Sequence, residues 1–423
     1  MKKGTLKLVS VVCLLSILMS TACDSSKFKW ELASPEKAGM SAEGLEKVRV
    51  AMQDNIDQKR IAGTVTAIVR HNRLVWYEAQ GFSDPVSGKP MSRDAIFHMM
   101  SSTKQITSVA VLMMMDEGKL SLDDKVSKFI PEFANPKVAV KAAGSDANTK
   151  IELVPADREI TIRDLLTHTS GLTGLNVPDS LWKRIEATFN PEHSLSDLIP
   201  LLGEVPLDFQ PGTKWMYSPL FGMDVLLHIV EIVSGQPADI FLSERIFNPL
   251  DMKDTFFSVP PEKMERLVYP YSYQDGEWKQ KPTLFDAGPT KYFCGAGGLL
   301  STVHDYVNFE IMLLNKGEFN GHRLLKPETV EMMSTNQVGT LFADWIPPIT
   351  GGFGFGLGVR VLMDPEKGHG WGKGAFGWGG AYGTESWADP ELGVAAAMFI
   401  QADPAPSETK NDFQEALRNA ILE

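Results

Sequence analysis

The chain is poor in cysteine, with three in 423 residues (Cys13, Cys23 and Cys294), so no disulfide framework is built into it. It is also short of positive charge. Its 41 Lys and Arg face 53 Asp and Glu, the formal net charge is −12, and no basic face stands out, which excludes nucleic acid as a partner. The eight histidines show no paired spacing such as His-x-x-x-His, so no metal is implied. No serine has the Gly-x-Ser-x-Gly surroundings of an α/β-hydrolase nucleophile elbow. Gly372, Gly374 and Gly377 fit the dinucleotide fingerprint letter for letter, but no apolar strand leads directly into them and no helical pattern follows, so no nucleotide cofactor is implied either. What remains is a globular composition: 43% apolar residues, enough to bury a sizeable core, at a length that suggests two or three structural units.

The long apolar run stands at the N-terminus. Basic MKKGTLK leads into VSVVCLLSILMS, about a dozen apolar residues, and then Ser20-Thr21-Ala22, the small-residue pattern that signal peptidases cut. The run is short for a membrane span, so residues 1–22 are expected to be an export signal and the mature chain to begin at Cys23. A cysteine directly after the cut resembles a bacterial lipobox, with Ser20 where leucine is usual. Cys23 is therefore expected to carry a lipid anchor and residues 23–34 to form a polar tether. The expected location is a bacterial membrane, facing the periplasm or the cell exterior; cleavage at the same bond without lipidation would leave a soluble periplasmic or secreted protein. Cys294, in YFCGAGGLLST, is left without a partner and reads as a small buried residue.

Along residues 35–420 the order is strands, then helices, then strands. SAEGLEKVRVAMQDNID (41–57) has apolar residues at Leu45, Val48 and Met52 behind Ser41 as N-cap, an amphipathic helix. GTVTAIVRHN and LVWYEAQGF flank His71-Asn72-Arg73 as an antiparallel hairpin. From 101 to about 290 helical periodicity dominates, as in TSVAVLMMMDEG, TIRDLLTH, SLWKRIEATF and GMDVLLHIVEIVSG, the last stopped by Gly235. After 295 strands return in FGFGLGVRVLMD, ESWADP and LGVAAAMFIQ, before a closing helix DFQEALRNAILE. This predicts an α/β protein with one sheet lobe, about 35–100 and 295–423, made from both ends of the chain. An all-helical lobe, about 101–290, is inserted between them, and a site belongs in the cleft between the lobes.

A serine three residues before a lysine occurs five times: Ser26/Lys29, Ser34/Lys37, Ser101/Lys104, Ser180/Lys183 and Ser407/Lys410. Context separates them. Ser26 lies in the expected tether, Ser34 precedes a proline, Ser407 sits in a Pro-rich turn, and Ser180 opens a charged helix. Ser101 alone opens a strongly apolar one, SSTKQITSVAVLMMMDEG. Residues i and i+3 share a helical face, which sets the Lys104 amine beside the Ser101 hydroxyl. Burial disfavours the cationic amine and so prepares it as a base, and the helix N-terminus stabilises negative charge formed there. The plainer reading is Ser101 or Ser102 as an N-cap, with Lys104 extended to solvent.

Around Ser-x-x-Lys, a signature of β-lactamases and penicillin-binding proteins, stand LLTHTSGL (165–172), DFQPGTKWMYS (208–218), GAGGLLSTVHDYVNF (295–309) and FGWGGAYGTESWADPELG (376–393). Together these resemble the serine β-lactamase-related superfamily in its class C-like branch, and more closely the family VIII carboxylesterases. The resemblance implies an antiparallel sheet flanked by helices plus the inserted helical lobe, one catalytic domain over 35–420, and no cofactor. It implies Ser101 as the acylated nucleophile, Lys104 as its base, and Tyr217 as a partner in proton transfer, its phenolate stabilised by the lysine cation. The oxyanion hole would be the amides of Ser101 and Ala381, after the third motif Trp378-Gly379-Gly380, which lines the substrate site. His168 reads as a structural hydrogen-bonding residue of its turn.

Two departures bear on substrate. Penicillin-recognising members place Lys or His at the position of Trp378 and Thr or Ser at that of Gly379, and the asparagine expected two residues after the tyrosine is Pro219, which offers no side-chain hydrogen bond. Tryptophan presents an apolar face suited to an uncharged ester. The expected activity is hydrolysis of a small ester. The rivals are a β-lactamase, a D-alanyl-D-alanine-type peptidase acting on an amide, and a catalytically silent binding lipoprotein. Lys373 is close enough in sequence to restore the missing cation.

Overall fold

The computed structural model describes residues 27–141 and 151–422. The expected signal and Cys23 lie outside the described residues. Helix α1, Ala42–Asp57, starts where the Ser41 hydroxyl accepts the Gly44 amide at 3.1 Å and buries Leu45, Val48 and Met52, as their spacing requires. Strands β1, Gly63–Arg70, and β2, Arg73–Asp84, form the expected hairpin with a shorter turn: Arg73 already pairs with Arg70. His71 and Asn72 adopt φ of 47° and 60°, the backbone that lets a two-residue turn match the twist of its strands.

β3 (Lys89–Pro90) closes one edge of a sheet whose other strands come from the C-terminal third: β4 (Phe353–Phe355), β5 (Arg360–Leu362), β6 (Phe376–Gly379), β7 (Thr384–Asp389) and β8 (Val394–Phe399). The order is β4-β5-β6-β7-β8-β1-β2-β3, antiparallel at every pairing. Both chain ends thus build one sheet, and β8 is the seam between them. Its residues alternate between two cores: Ala395, Ala397 and Phe399 face the helical lobe, while Val394, Ala396 and Met398 face α1 and the C-terminal helix. FGFGLGVRVLMD, expected as one strand, is split into β4 and β5 around Gly356–Gly358.

The helices that matter for the site are α2 (Thr103–Asp116), α3 (Ile162–Leu166), α4 (Asp179–Thr188), α5 (Leu195–Leu202), α6 (Phe221–Ser234), α7 (Val303–Leu314) and α8 (Ser407–Asn419). Gly235 ends α6 in the left-handed conformation, φ 72°. α2 is buried on all sides from Thr103 to Met114, the signature of a helix inside a core.

The inserted lobe is not all-helical. It carries the hairpins Lys137–Lys141/Ile151–Pro155 and Tyr271–Gln274/Glu277–Gln280, the second turning on Asp275-Gly276 at φ 56° and 85°, a local turn signal that outweighs the surrounding helical periodicity. The tether is also shorter than 23–34. Phe28 is buried against Trp30 and Phe319, and Trp30 stacks on His304 and donates to Asn308 at 2.9 Å, so the apolar pair in SKFKWE docks on α7.

Candidate active site

Ser101 sits in a single 3₁₀ turn, Met100–Ser102, immediately before α2. Met100 is held at φ 48°, a conformation costing a non-glycine residue about 1–3 kcal/mol. Bonds from three distant segments hold the turn in place. Met99 N–H donates to Leu299 O at 2.9 Å, the Thr384 hydroxyl to Met99 O at 2.9 Å, and the Tyr306 hydroxyl to Ser102 O at 2.5 Å. Neither serine caps α2: Ser102 is spent on Thr384, with its carbonyl and hydroxyl oxygens both at 3.0 Å. Ser101 is half-buried, and its hydroxyl takes no part in the bonds that hold the turn.

Lys104 does not reach solvent; it is 1% exposed. Its Nζ lies 2.7 Å from Ala296 O, 2.8 Å from Pro219 O and 3.3 Å from Ser101 Oγ. The two carbonyls take two N–H groups, and the third direction on nitrogen points at Ser101. In the ammonium it carries a donor, in the neutral amine the lone pair that would receive the serine proton. The Tyr217 hydroxyl donates to the same Oγ at 2.6 Å, and the Lys104 ammonium lies 5.0 Å from the Tyr217 ring centre. Pro219, which offers no side-chain amide, contributes its carbonyl.

The turn in LLTHTSGL explains how Tyr217 is held. His168, at φ 56°, accepts the Met216 amide on its carbonyl at 3.0 Å and the Ser218 amide on Nδ1 at 3.3 Å, bracketing Tyr217 from both sides. Burial, with the Lys104 cation adding to it, pushes the imidazole down to about 3, so the ring is neutral and its proton sits on Nε2.

A side chain at Gly380 would collide with Met99 O and the Thr384 hydroxyl, so only glycine lets the end of β6 meet the turn that bears Ser101. The Ser101 and Ala381 amides have no hydrogen-bond partner among the described residues, unlike Gly380 N–H, which donates to Thr384 O at 2.7 Å. Trp378 packs its ring on Tyr217 and Phe355, centroids 5.7 and 5.4 Å away, as part of an aromatic wall with Trp215 and Phe342. Lys373 lies beyond the far end of β6, its amide on Glu391, and does not approach Trp378. Arg360 and Lys410 face the Glu385 carboxylate instead, at 3.1 and 3.9 Å, and that carboxylate fills the space a side chain at Gly379 would need.

The sequence reading missed the polar support beneath the β6 strand. Gln105 donates to Trp378 O at 3.4 Å and Ser386 Oγ at 3.3 Å, and Ser386 donates to Glu310 at 2.6 Å. Burial pushes the Glu310 carboxyl up to about 8, so it holds its proton at neutral pH. A lone acid inside the apolar run of VNFEIMLL was its signal.

Between pH 4.5 and 8 the folded chain keeps this proton and the unfolded chain releases it. Its contribution to stability therefore falls as pH rises through that window and is level above it. Glu310→Gln should match wild type near pH 4 and exceed it at pH 8 by several kcal/mol, on the order of 1.4 kcal/mol per pH unit, read from urea unfolding midpoints.

Comparison with known proteins gives the family and the fold. The family model "Beta-lactamase" matches residues 46–420. The esterase EstB of Burkholderia gladioli is 29% identical over 86% of this chain and 91% of its own, and the lovastatin esterase of Penicillium rubens is 30% identical over 87% and 96%. Among solved structures, EstCE1, described as a hydrolase with promiscuous acyltransferase activity, superposes with a TM-score of 0.74 at 26% identity over 89% of this chain and 98% of that one.

Proposed function

The chain belongs to the beta-lactamase family of serine hydrolases, and from that premise we propose that it is an exported esterase that cleaves small uncharged esters through an acyl-enzyme on Ser101. The observation that carries this reading is one oxygen, Ser101 Oγ, within 3.3 Å of Lys104 Nζ and 2.6 Å of the Tyr217 hydroxyl, under an aromatic wall with no cation at position 378.

In the proposed reaction Ser101 Oγ attacks the ester carbonyl as its proton passes to the Lys104–Tyr217 pair, and the Ser101 and Ala381 amides receive the developing oxyanion. The tetrahedral adduct breaks its bond to the alkoxide, which leaves with a proton from Tyr217. Water then attacks the acyl group, giving its proton to the same pair, and the carboxylic acid departs with Ser101 restored. Once Lys104 holds the proton taken from Ser101, its ammonium form steadies charge on the phenol until that proton is passed on to the leaving group.

Trp378 and Pro219 set the substrate class. A carboxylate-bearing substrate meets no cation at position 378, while Arg360 and Lys410 are engaged by Glu385, and it forgoes a charge-assisted contact of roughly 1.5–3 kcal/mol, about one to two decades in efficiency. Short-chain p-nitrophenyl esters should therefore exceed penicillins and D-Ala-D-Ala peptides by at least about tenfold in kcat/KM. Trp378→Lys should narrow that gap from both sides, because it adds a cation and removes the ring that packs on Tyr217 and Phe355. Preference of the wild-type enzyme for a carboxylate-bearing β-lactam would overturn the substrate class.

Export and anchoring are part of the proposal, on the strength of the basic, apolar and small-residue segments before Cys23. Cys23→Ser should move the protein from the membrane to the soluble fraction with ester turnover unchanged. Continued membrane association would remove the lipid anchor from this account.

A further inference from the structure

A buried carboxylate behind the proposed base has no part in the reaction described above. Asp224, in the first turn of α6, is fully buried. One of its oxygens accepts the Ala296 amide at 3.1 Å; the other accepts the Tyr292 hydroxyl in a short hydrogen bond, and the Cys294 thiol also donates to this carboxylate. The carbonyl of the same Ala296 accepts Lys104 Nζ at 2.7 Å. One residue thus has its N–H tied to a carboxylate and its C=O tied to the lysine, and the Lys104 cation helps to hold the Asp224 carboxyl down.

We propose that Asp224 is a positioning residue for Lys104: through Ala296 it aims the amine at Ser101, and by its charge it sets how readily the lysine parts with its proton. This rests on the reading of Ser101 and Lys104 given above.

Lys104 has Tyr217 beside it, its ring centre 5.0 Å from Nζ, and Asp224 behind it beyond Ala296. From the 290–297 loop, Tyr292 and Cys294 face Asp224, and burial holds both far above their ordinary values, so they stay protonated. His168, which faces Lys104 from the turn after α3, is neutral. Asp224 itself is pushed up to about 6 by burial, against the pull of its hydrogen bonds and of Lys104, and is ionised at and above neutral pH. A carboxylate so deep inside the protein is stabilised by the cation nearby.

The test compares three variants by p-nitrophenyl butyrate kinetics across pH, with folding checked by thermal melting. Asp224→Asn keeps the size and an acceptor but removes the charge, so the limb of the kcat/KM profile owed to Lys104 should move toward acid by about one pH unit or more. Asp224→Glu keeps the charge and displaces it, so kcat should fall about tenfold or more while the limb stays within a few tenths of a unit of wild type. Asp224→Ala should lose kcat with little change in KM. A limb that stays put in Asp224→Asn, or moves equally in Asp224→Glu, or full kcat in Asp224→Glu or Asp224→Ala, would overturn the proposal; limb position and kcat are separate readouts, so any one folded variant decides. If wild type does not hydrolyse the ester, or Ser101→Ala hydrolyses it as well, the esterase reading itself fails, a result distinct from failure at Asp224 alone.

Discussion

Ser101→Ala should lower kcat/KM for p-nitrophenyl butyrate by roughly three orders of magnitude or more while leaving the fold intact. The chemical half follows from the convergence of Lys104 and Tyr217 on one oxygen. Without it there is no atom to carry the acyl group, and the free amides of Ser101 and Ala381 can at most polarise an ester toward water. The structural half follows from what the hydroxyl does not touch: Ser101 Oγ makes no contact that holds its turn, which is fixed through Met99 and Ser102. Ser102→Ala should show the reverse pattern, since it removes the buried hydrogen bonds that tie the turn to Thr384, at about 0.5–1.5 kcal/mol, and retains an intact Ser101. Measuring esterase kinetics and unfolding midpoints for the two neighbours side by side checks both halves. Comparable losses of activity with comparable losses of stability would mean that neither serine is chemically special.

Lys104→Met should cost roughly two to four orders of magnitude in kcat, the range attributable to a positioned proton-transfer group. Lys104→Arg should not rescue it. The ammonium fits three acceptors arranged around one nitrogen, Ala296 O, Pro219 O and Ser101 Oγ, whereas a guanidinium spreads its donors over a plane, is longer, and does not give up a proton. The arginine variant therefore has charge without a base, and the methionine variant has neither. Single-turnover acylation rates on a p-nitrophenyl ester separate acylation from deacylation in both. An arginine variant within tenfold of wild type would show that the positive charge alone suffices and that the proton goes elsewhere, with Tyr217 as the candidate.

How much of this was legible in the sequence depended on how local each interaction is. Ser101 and Lys104 are three residues apart on one helical face, and α1 and the β1–β2 hairpin follow from spacing within a dozen residues, so a linear reading finds them. Tyr217 was recognisable through its motif. The groups that finish the site arrive from far along the chain: Pro219 O is 115 residues from Lys104 and Ala296 O is 192. No periodicity announces that two backbone carbonyls will enclose an amine. The strain at Met100, the close approach at Gly380 and the acid Glu310 beneath β6 are likewise products of tertiary packing. The readings that failed gave way to local effects: Asp275-Gly276 turned a hairpin inside a helical lobe, and Phe28 and Trp30 were too apolar to remain in a solvated tether.

The central claim is that acyl transfer runs through Ser101, and covalent trapping tests it most directly. A fluorophosphonate probe, followed by proteolysis and mass spectrometry of the labelled peptides, should place a single adduct on Ser101, with none on Ser26, Ser34, Ser102, Ser180 or Ser407, and labelling should vanish in Ser101→Ala. An adduct on any other residue in the wild-type protein, or labelling that survives Ser101→Ala, would contradict the account.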